Sequence, residues 1–328
     1  MKTSCTSEVV FYDHHPDTGD FRQEAVAGLR HEPKSVAPKF FYDKRGSELF
    51  DRICELDEYY PTRTETAILE ENAAEVAALV GEDCTLIEYG SGSSRKIRVL
   101  LDALGEQLSY IAIDISKQHL LESANALSEA YPDLEVIAVC ADYTKPFELP
   151  SPNRRPAGKR VVFFPGSTIG NLSPQDARQF LRTTARRLGP RGSLLIGVDL
   201  KKDPKLLHAA YNDVEGVTAA FNMNLLRRMN EELGADFDLS SFRHEAFYNR
   251  DAGRIEMHLV SLKNQHVRFN GTSIPFRSGE TIHTENSYKF HVEEFHAMAA
   301  EAGFRAERVW TDSNRLFSLH YLTVDSLQ

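Results

Sequence analysis

The stretch Ile87–Lys96, IEYGSGSSRK, decides how the chain is read. An apolar strand runs into Gly-Ser-Gly and then into a helical segment, the layout of a nucleotide-binding loop. The dinucleotide fingerprint GxGxxG needs a third glycine where helix and strand pack closely; here Arg95 holds that place. The phosphate loop GxxxxGK[ST] is absent. What remains is Glu88 near a strand end, followed by two glycines, Gly90 and Gly92, that let a ligand approach the backbone.

Reading outward, Asp114 ends the next apolar run, YIAID, 24 residues after Gly90. A nucleotide-binding βαβ unit places there the acid that hydrogen-bonds ribose hydroxyls. Asp142 closes the run LEVIAVCAD, where it faces an exocyclic amine in such a unit. A row of acids at Glu88, Asp114 and Asp142 suits a ligand with a ribose, an adenine and a positive charge but no phosphate. S-adenosylmethionine has that chemistry.

The surrounding rhythm is strand and helix in alternation. Strands are expected at 85–90, 110–114, 134–142, 160–168 and 193–200, with helices at 94–104, after Ser116 and after Ser173-Pro174, a usual N-cap and first-turn pair. Thr62 and Glu65 read as a capping box opening a helix to about Val80. Apolar strands between helices mean a parallel sheet covered on both faces, hence a doubly wound α/β fold. After Leu200 the rhythm breaks. Helices at about 203–211 and 218–233 precede strands at 243–250 and 254–263, and QHVRF (265–269) is expected to add a third strand to them. A helix stopped by Gly303 and a final hairpin return to the first pattern. The expected domains are therefore a flexible N-terminal arm (1–20), a cofactor-binding domain (61–200 plus 288–328) and an inserted α+β substrate domain (21–60 plus 201–287).

Composition narrows the function. The chain has 328 residues, is 41% hydrophobic and 26% charged, and carries a formal net charge of -10, a soluble globular profile that disfavours a nucleic-acid backbone as partner. No apolar run approaches the roughly 20 residues that span a bilayer, and the N-terminus lacks a signal-peptide core. Four scattered cysteines without a CxxC pair point to free thiols in a reducing cytosol. The twelve histidines form no HExxH or paired Cys/His spacing, so no metal is expected. The molecule expected is a cytoplasmic monomer with a small-molecule substrate and no membrane or nucleic-acid partner.

Longer motifs then carry a resemblance. PKFFYDKRGSELFDRICELDEYYPTRTE (38–65), EYGSGSSRK (88–96), FFPGSTIGNLSP (163–174), GVTAAFNMN (216–224), RIEMHL (254–259) and TENSYKF (284–290) occur in collinear order. In these the chain resembles the L-histidine Nα-methyltransferases of ergothioneine biosynthesis. That resemblance implies a class I methyltransferase fold, a Rossmann-like sheet with an inserted substrate-binding domain. It implies S-adenosylmethionine as cofactor and S-adenosylhomocysteine as its product. By the same resemblance Gly90, Lys96, Asp114, Asp142 and Tyr143 form the cofactor set. Tyr42 lies near the reacting centre, and Tyr59 and Tyr211 hold the substrate carboxylate. Asn171 orients the α-amine, Glu285 and Ser287 read the imidazole, and Met257 walls the side-chain pocket. Tyr42 and Asn171 are the expected catalytic residues. Asn286 is expected to point away from the ring, because alternate residues of a strand face opposite sides.

The implied reaction is three successive methylations of the L-histidine α-amine. A quaternary ammonium product retains charge but cannot donate a hydrogen bond, and aromatic faces recognise it. Tyr42, Tyr59, Tyr60, Tyr211 and Phe221 are candidates, with Tyr60 and Phe221 better read as core. Other readings are an N-methyltransferase for another amino acid such as tryptophan, a nucleotide-binding oxidoreductase, and a non-catalytic binding module. An indole pocket has no need of the Glu285 carboxylate, and the missing third glycine disfavours the oxidoreductase.

Overall fold

The computed structural model describes residues 9–16, 19–81, 83–91, 95–105, 108–153, 158–269 and 271–325. In chain order its elements are β1 (Val10–Asp13), α1 (Phe21–Arg30), β2 (Lys34–Ser35), α2 (Lys44–Glu55), α3 (Tyr60–Val80), β3 (Cys84–Tyr89), α4 (Arg95–Leu104), β4 (Ser109–Asp114), α5 (Lys117–Ala130), β5 (Glu135–Cys140), β6 (Lys159–Phe164), α6 (Pro174–Leu188), β7 (Ser193–Asp199), α7 (Pro204–Tyr211), α8 (Val217–Leu233), β8 (Phe242–Asn249), β9 (Arg254–Ser261), β10 (Gln265–Phe269), β11 (Thr272–Phe276), β12 (Thr281–Tyr288), α9 (Val292–Glu301), β13 (Phe304–Thr311) and β14 (Phe317–Val324). Two compact units result. The first is built from the chain before Gly19, from Arg63–Leu200 and from Phe290 onward; the second from Gly19–Thr62 and Lys201–Lys289. The expected divisions at 60/61 and 287/288 fall two residues later, at 62/63 and 289/290, the one at 200/201 coincides, and residues 19 and 20 join the second unit; Tyr288 and Lys289 thus belong to the second unit. No helix among the described residues is long and apolar enough to cross a membrane.

The first unit holds one eight-stranded sheet in the order β1-β5-β4-β3-β6-β7-β14-β13. Strands β1, β5, β4, β3, β6 and β7 pair in parallel, and the β13–β14 hairpin closes the sheet antiparallel to β7. β3 stands at the centre with β4 and β5 on one side and β6 and β7 on the other, so the strand order reverses beside it. Ligands bind at the carboxyl ends of strands at such a switch point. One face packs Ile68, Leu69 and Val76 of α3, Ile97, Leu100 and Leu101 of α4 and Leu120 and Leu127 of α5 on Leu86, Tyr110, Ala138 and Phe163. On the other face Phe180 of α6 packs on Phe164 at 4.7 Å, and Phe295 of α9 on His320 at 4.8 Å. Helices on both faces explain why the central strands read as unbroken apolar runs. The fold is that of the class I, Rossmann-like methyltransferases.

Three local expectations are corrected. Val10–Asp13, placed in a loose arm, pairs in parallel with Ile137–Cys140 as the edge strand; the rest of the arm, 1–8 and 17–18, lies outside the described residues. Thr62 and Glu65 do not open a helix, because α3 already begins at Tyr60. That shift turns Glu65 inward, where it is fully buried. Among the named strands β10 pairs with β11, as a two-stranded hairpin with an isolated bridge from Phe269 to Ala235, and does not join β8 and β9. Helix starts after Ser116 and Ser173 fall as expected, and the Ser173 side chain accepts the Asp176 N–H.

The second unit holds the four-stranded sheet β2-β12-β9-β8. Its register assigns faces. Glu285 stands opposite Met257 and Ser287 opposite Ile255, while His283 stands opposite His258 and Asn286 opposite Glu256. Residues directly opposite share a face, so Met257, Glu285 and Ser287 lie on one side and Glu256, His258, His283 and Asn286 on the other. Asn286 thus points away from Glu285, as expected. The register shifts by one residue between His283 and Glu285. Thr284, at the shift, is buried with its hydroxyl 2.8 Å from Asn222 Oδ1 and 3.0 Å from the Met257 carbonyl oxygen.

Candidate active site

In the first unit the expected cofactor residues gather at the carboxyl ends of parallel strands. Gly90 follows β3, Asp114 ends β4, and Asp142 and Tyr143 follow β5. Gly90 has φ +73°, a conformation that favours glycine, and a Cβ built there would meet nothing within 4 Å. Residues 92–94 of the opening loop lie outside the described residues. The neighbouring Ser91 is buried, and its hydroxyl has no hydrogen-bond partner among the described residues. A buried polar atom without a partner is costly unless a ligand or water meets it, which fits a polar ligand at this loop.

The acids are not equivalent. Glu88 is buried and accepts the Tyr110 hydroxyl proton. Burial pushes its carboxyl up to about 8, against that hydrogen bond and the Lys96 charge. At neutral pH it is mostly protonated, so Glu88 does not bring a full negative charge to the expected row of acids. Burial also raises the Asp114 pKa, although the Ser116 N–H donates to Oδ1 at 2.7 Å. Asp142 accepts from Thr144 N–H (2.9 Å) and Thr144 Oγ1 (2.6 Å), a local turn that fixes its direction. The Tyr143 ring lies stacked on Tyr89 at 5.3 Å and 4°.

Lys96 of α4 is buried and donates to Glu65 Oε2. The same oxygen accepts the Gly166 N–H at 2.8 Å. Glu65 therefore ties a cofactor-set residue to the loop that follows β6. In that loop Ser167 takes a left-handed conformation (φ 55°), and its hydroxyl accepts the Asp199 N–H at 2.9 Å. The short helical turn Thr168–Asn171 then ends at the expected catalytic asparagine. Sequence reasoning missed Glu65. The available signal was Gly197 inside β7, because a strand glycine marks a close approach. A Cβ there would lie 1.9 Å from Glu65 Oε1.

In the second unit Tyr59, Tyr211, Glu285, Ser287 and Met257 come together. The Tyr59 and Tyr211 rings meet edge-on at 6.4 Å. Burial raises the Tyr59 pKa well above its usual value, and Tyr211, Cys54 and Glu285 add to the rise. The phenol is therefore a neutral hydrogen-bond donor. Tyr211 is placed by His244: Asn222 Nδ2 donates to His244 Nδ1 (2.9 Å), so Nε2 carries the proton given to the Tyr211 carbonyl (2.9 Å). The Tyr211 hydroxyl donates to Ser287 Oγ at 2.8 Å. Lys289, also missed, donates to the same oxygen at 2.8 Å; its signal was the alternate spacing 285, 287, 289. Burial pushes the Glu285 carboxyl up to about 7, with Lys289 pulling it back. Tyr42 packs edge-on to Phe50 at 5.7 Å and Phe221 at 5.8 Å, its ring partly exposed. Phe221 is buried against Phe41, and Tyr60 accepts from Lys202 Nζ at 2.6 Å, which suits the core reading of both.

One group among the described residues has metal-ligand composition. Ligand atoms of Glu256, His258 and His283 lie within 4.8 Å of one another, on the face opposite Glu285. The His258 and His283 rings are stacked at 15°, which does not let one ion lie in both ring planes. Burial favours protonation of Glu256, but Arg254, Asn249 and His258 outweigh it and hold the carboxyl down to about 2. The Arg254 guanidinium at 2.7 Å already occupies the place of a cation.

A loop at the strand-order switch point, an acid at the end of the neighbouring strand and an inserted unit with its own cluster of polar side chains are the layout of an S-adenosylmethionine-dependent methyltransferase. The model of the histidine-specific, S-adenosylmethionine-dependent methyltransferases matches residues 21–324, and the chain belongs to that family. It is 46% identical over 304 residues to the histidine N-alpha-methyltransferase of Mycolicibacterium smegmatis, covering 91% of this chain and 93% of that one. The Mycobacterium tuberculosis enzyme of the same name is 44% identical with the same coverage. Ergothioneine biosynthesis protein 1 of Neurospora crassa is 33% identical over 88% of this chain and 33% of its own length.

Proposed function

We propose that this enzyme transfers three methyl groups in succession to the α-amine of L-histidine, giving the Nα-trimethyl betaine that opens ergothioneine biosynthesis. The observation that carries the reading is the pairing of Glu285 and Ser287 on one strand face beside Tyr59 and Tyr211, a set suited to an amino acid with a hydrogen-bonding ring. The relatives named for histidine methylation support it.

Gly90, Lys96, Asp114, Asp142 and Tyr143 are the residues that would hold the cofactor. When bound, it supplies a methyl group on a sulfonium that leaves as a neutral thioether. The chain's own task is to present a neutral amine. A reference α-amine titrates at about 7.7–8.0, so much of it carries a proton at neutral pH and has no lone pair to give. A neighbouring cationic centre disfavours that protonated form. Tyr59 donates to the substrate carboxylate and fixes one end; the Tyr211 proton is already given to Ser287, so Tyr211 borders that end with its ring. Glu285 and Ser287 fix the ring, with Met257 as an apolar wall. In the first two transfers Asn171 accepts a hydrogen bond from the amine and aims its lone pair, and Tyr42 passes the released proton to water; the dimethylated amine of the third has no N–H to give and releases no proton, so there the amine is aimed by the contacts at the carboxylate and the ring. Positioning of this kind supplies most of the acceleration.

The test is incubation of the purified enzyme with S-adenosylmethionine and each of the twenty amino acids, read by mass spectrometry. Gains of one, two and then three methyl groups are expected with histidine alone. No gain with histidine, or a larger gain with tryptophan, overturns the assignment.

A further inference from the structure

Lys289 is buried beside the expected ring contacts. Its Nζ lies 2.8 Å from Ser287 Oγ, 3.2 Å from Tyr211 Oη and 5.1 Å from the Tyr211 ring centroid. An ammonium only donates. Ser287 Oγ therefore accepts from Lys289, and it accepts from the Tyr211 hydroxyl as well. A hydroxyl oxygen has two lone pairs and one proton. With both lone pairs engaged, Ser287 has only its proton left for a ligand. Two residues away on the same face, Glu285 offers the reverse, an acceptor once ionised.

We propose that Lys289 is a positioning residue that fixes ring specificity: by saturating the Ser287 oxygen it makes that hydroxyl an obligate donor, and with Glu285 as acceptor the pocket selects a ring carrying one N–H and one bare nitrogen. The neutral imidazole meets that pattern. The imidazolium, with two N–H groups, and rings without an N–H do not. This rests on the reading of Glu285 and Ser287 as the ring contacts. The same lysine favours the carboxylate form of Glu285. Other titratable groups grouped with Glu285 are Tyr59 at the end of the α2–α3 connection and Tyr211 at the end of α7, with Cys54 and Tyr42 behind Tyr59. His258 and His283 belong to the opposite face, although His283 Nε2 donates to the Glu285 backbone carbonyl at 3.1 Å.

The test compares wild type with Lys289→Met and Lys289→Arg in steady state, using L-histidine and β-(thiazol-4-yl)alanine, whose ring has a bare nitrogen and no N–H. Loss of a charged hydrogen bond predicts a histidine KM raised roughly 10- to 100-fold in Lys289→Met, with kcat within about threefold. The pH at which KM improves should move upward as Glu285 loses its cation, and Lys289→Arg should recover part of both effects. In a Ser287→Ala background, Lys289→Met should add little, because it acts through that hydroxyl. A second measurement needs no variant: nitrogen NMR of ring-labelled histidine bound to wild type with S-adenosylhomocysteine should show one protonated and one bare nitrogen at pH 6. An unchanged KM and pH profile in folded Lys289→Met, or a bound imidazolium, overturns the proposal while leaving histidine methylation standing. Absence of histidine turnover in wild type overturns both.

Discussion

Glu65 offers the sharpest test of how the cofactor side is built. Its side chain is fully buried, and a single oxygen receives both Lys96 and the Gly166 N–H. Glu65→Gln keeps the shape and one acceptor but removes the charge. Breaking a buried pair by removing one partner costs about 3–5 kcal/mol, because the other charge is left uncompensated. Lys96 is 9% exposed and the second residue of its helix, so it relieves part of the loss by turning to solvent. The lower figure, about 3 kcal/mol, is therefore expected from a total of about 5–15 kcal/mol. Urea unfolding reads that loss as a lower midpoint at constant slope. Calorimetry with S-adenosylhomocysteine should show weaker binding as well, since Lys96 and the loop after β6 both lose their anchor. The double variant Glu65→Leu with Lys96→Met should recover stability, because it removes both charges, but not cofactor affinity. A Glu65→Gln midpoint within about 0.5 kcal/mol of wild type, together with unaltered binding, would refute the argument.

Other outcomes follow from the same geometry. Asn171→Ala should lower kcat about a hundredfold or more with S-adenosylhomocysteine affinity unchanged, seen by pairing single-turnover rates with calorimetry. On the proposed reading Glu285 holds a ring N–H best as a carboxylate, and burial raises its pKa to about 7. Affinity for histidine should therefore fall as pH drops through 7, by about tenfold between pH 8 and pH 6 from this group alone. Glu285→Gln should abolish that limb of the profile. Gly46→Ala places a Cβ 1.8 Å from the Phe41 carbonyl oxygen, so the turn carrying Tyr42 must open. A loss of about 1–3 kcal/mol is expected, visible as a lower melting temperature.

The strand–helix rhythm was legible because each central strand is covered on both faces and so reads as an apolar block. The inserted unit announced itself where that rhythm stopped. Failures came where the deciding contact is distant in sequence. Thr62-x-x-Glu65 is a good local cap, yet its glutamate answers a lysine 31 residues on. VFYD is too short and too polar in context to declare itself an edge strand, and its partner lies beyond residue 130. QHVRF alternates like any half-buried strand. In this case the signal for its partner, TSIPF, was local: the dipeptide Asn270-Gly271 between them reads as a two-residue hairpin turn. The pocket residues came from motif likeness. Strand alternation alone would have found Lys289 once Glu285 and Ser287 were named.

The extra residue in β12 governs which chemistry the inserted unit presents. Were the ladder to continue unbroken from Ile282, which stands opposite Leu259, Thr284 would take the place opposite Met257 and Asn286 that opposite Ile255. Glu285 and Ser287 would then be turned out among the histidines. A single unmatched threonine acts as a half-period phase shift and so sets the polarity of the whole strand. Pocket identity here is a matter of counting as much as of composition. Drift by substitution can retune Glu285 or Ser287 one at a time, whereas a lost or gained residue upstream of Glu285 exchanges the two faces at a stroke.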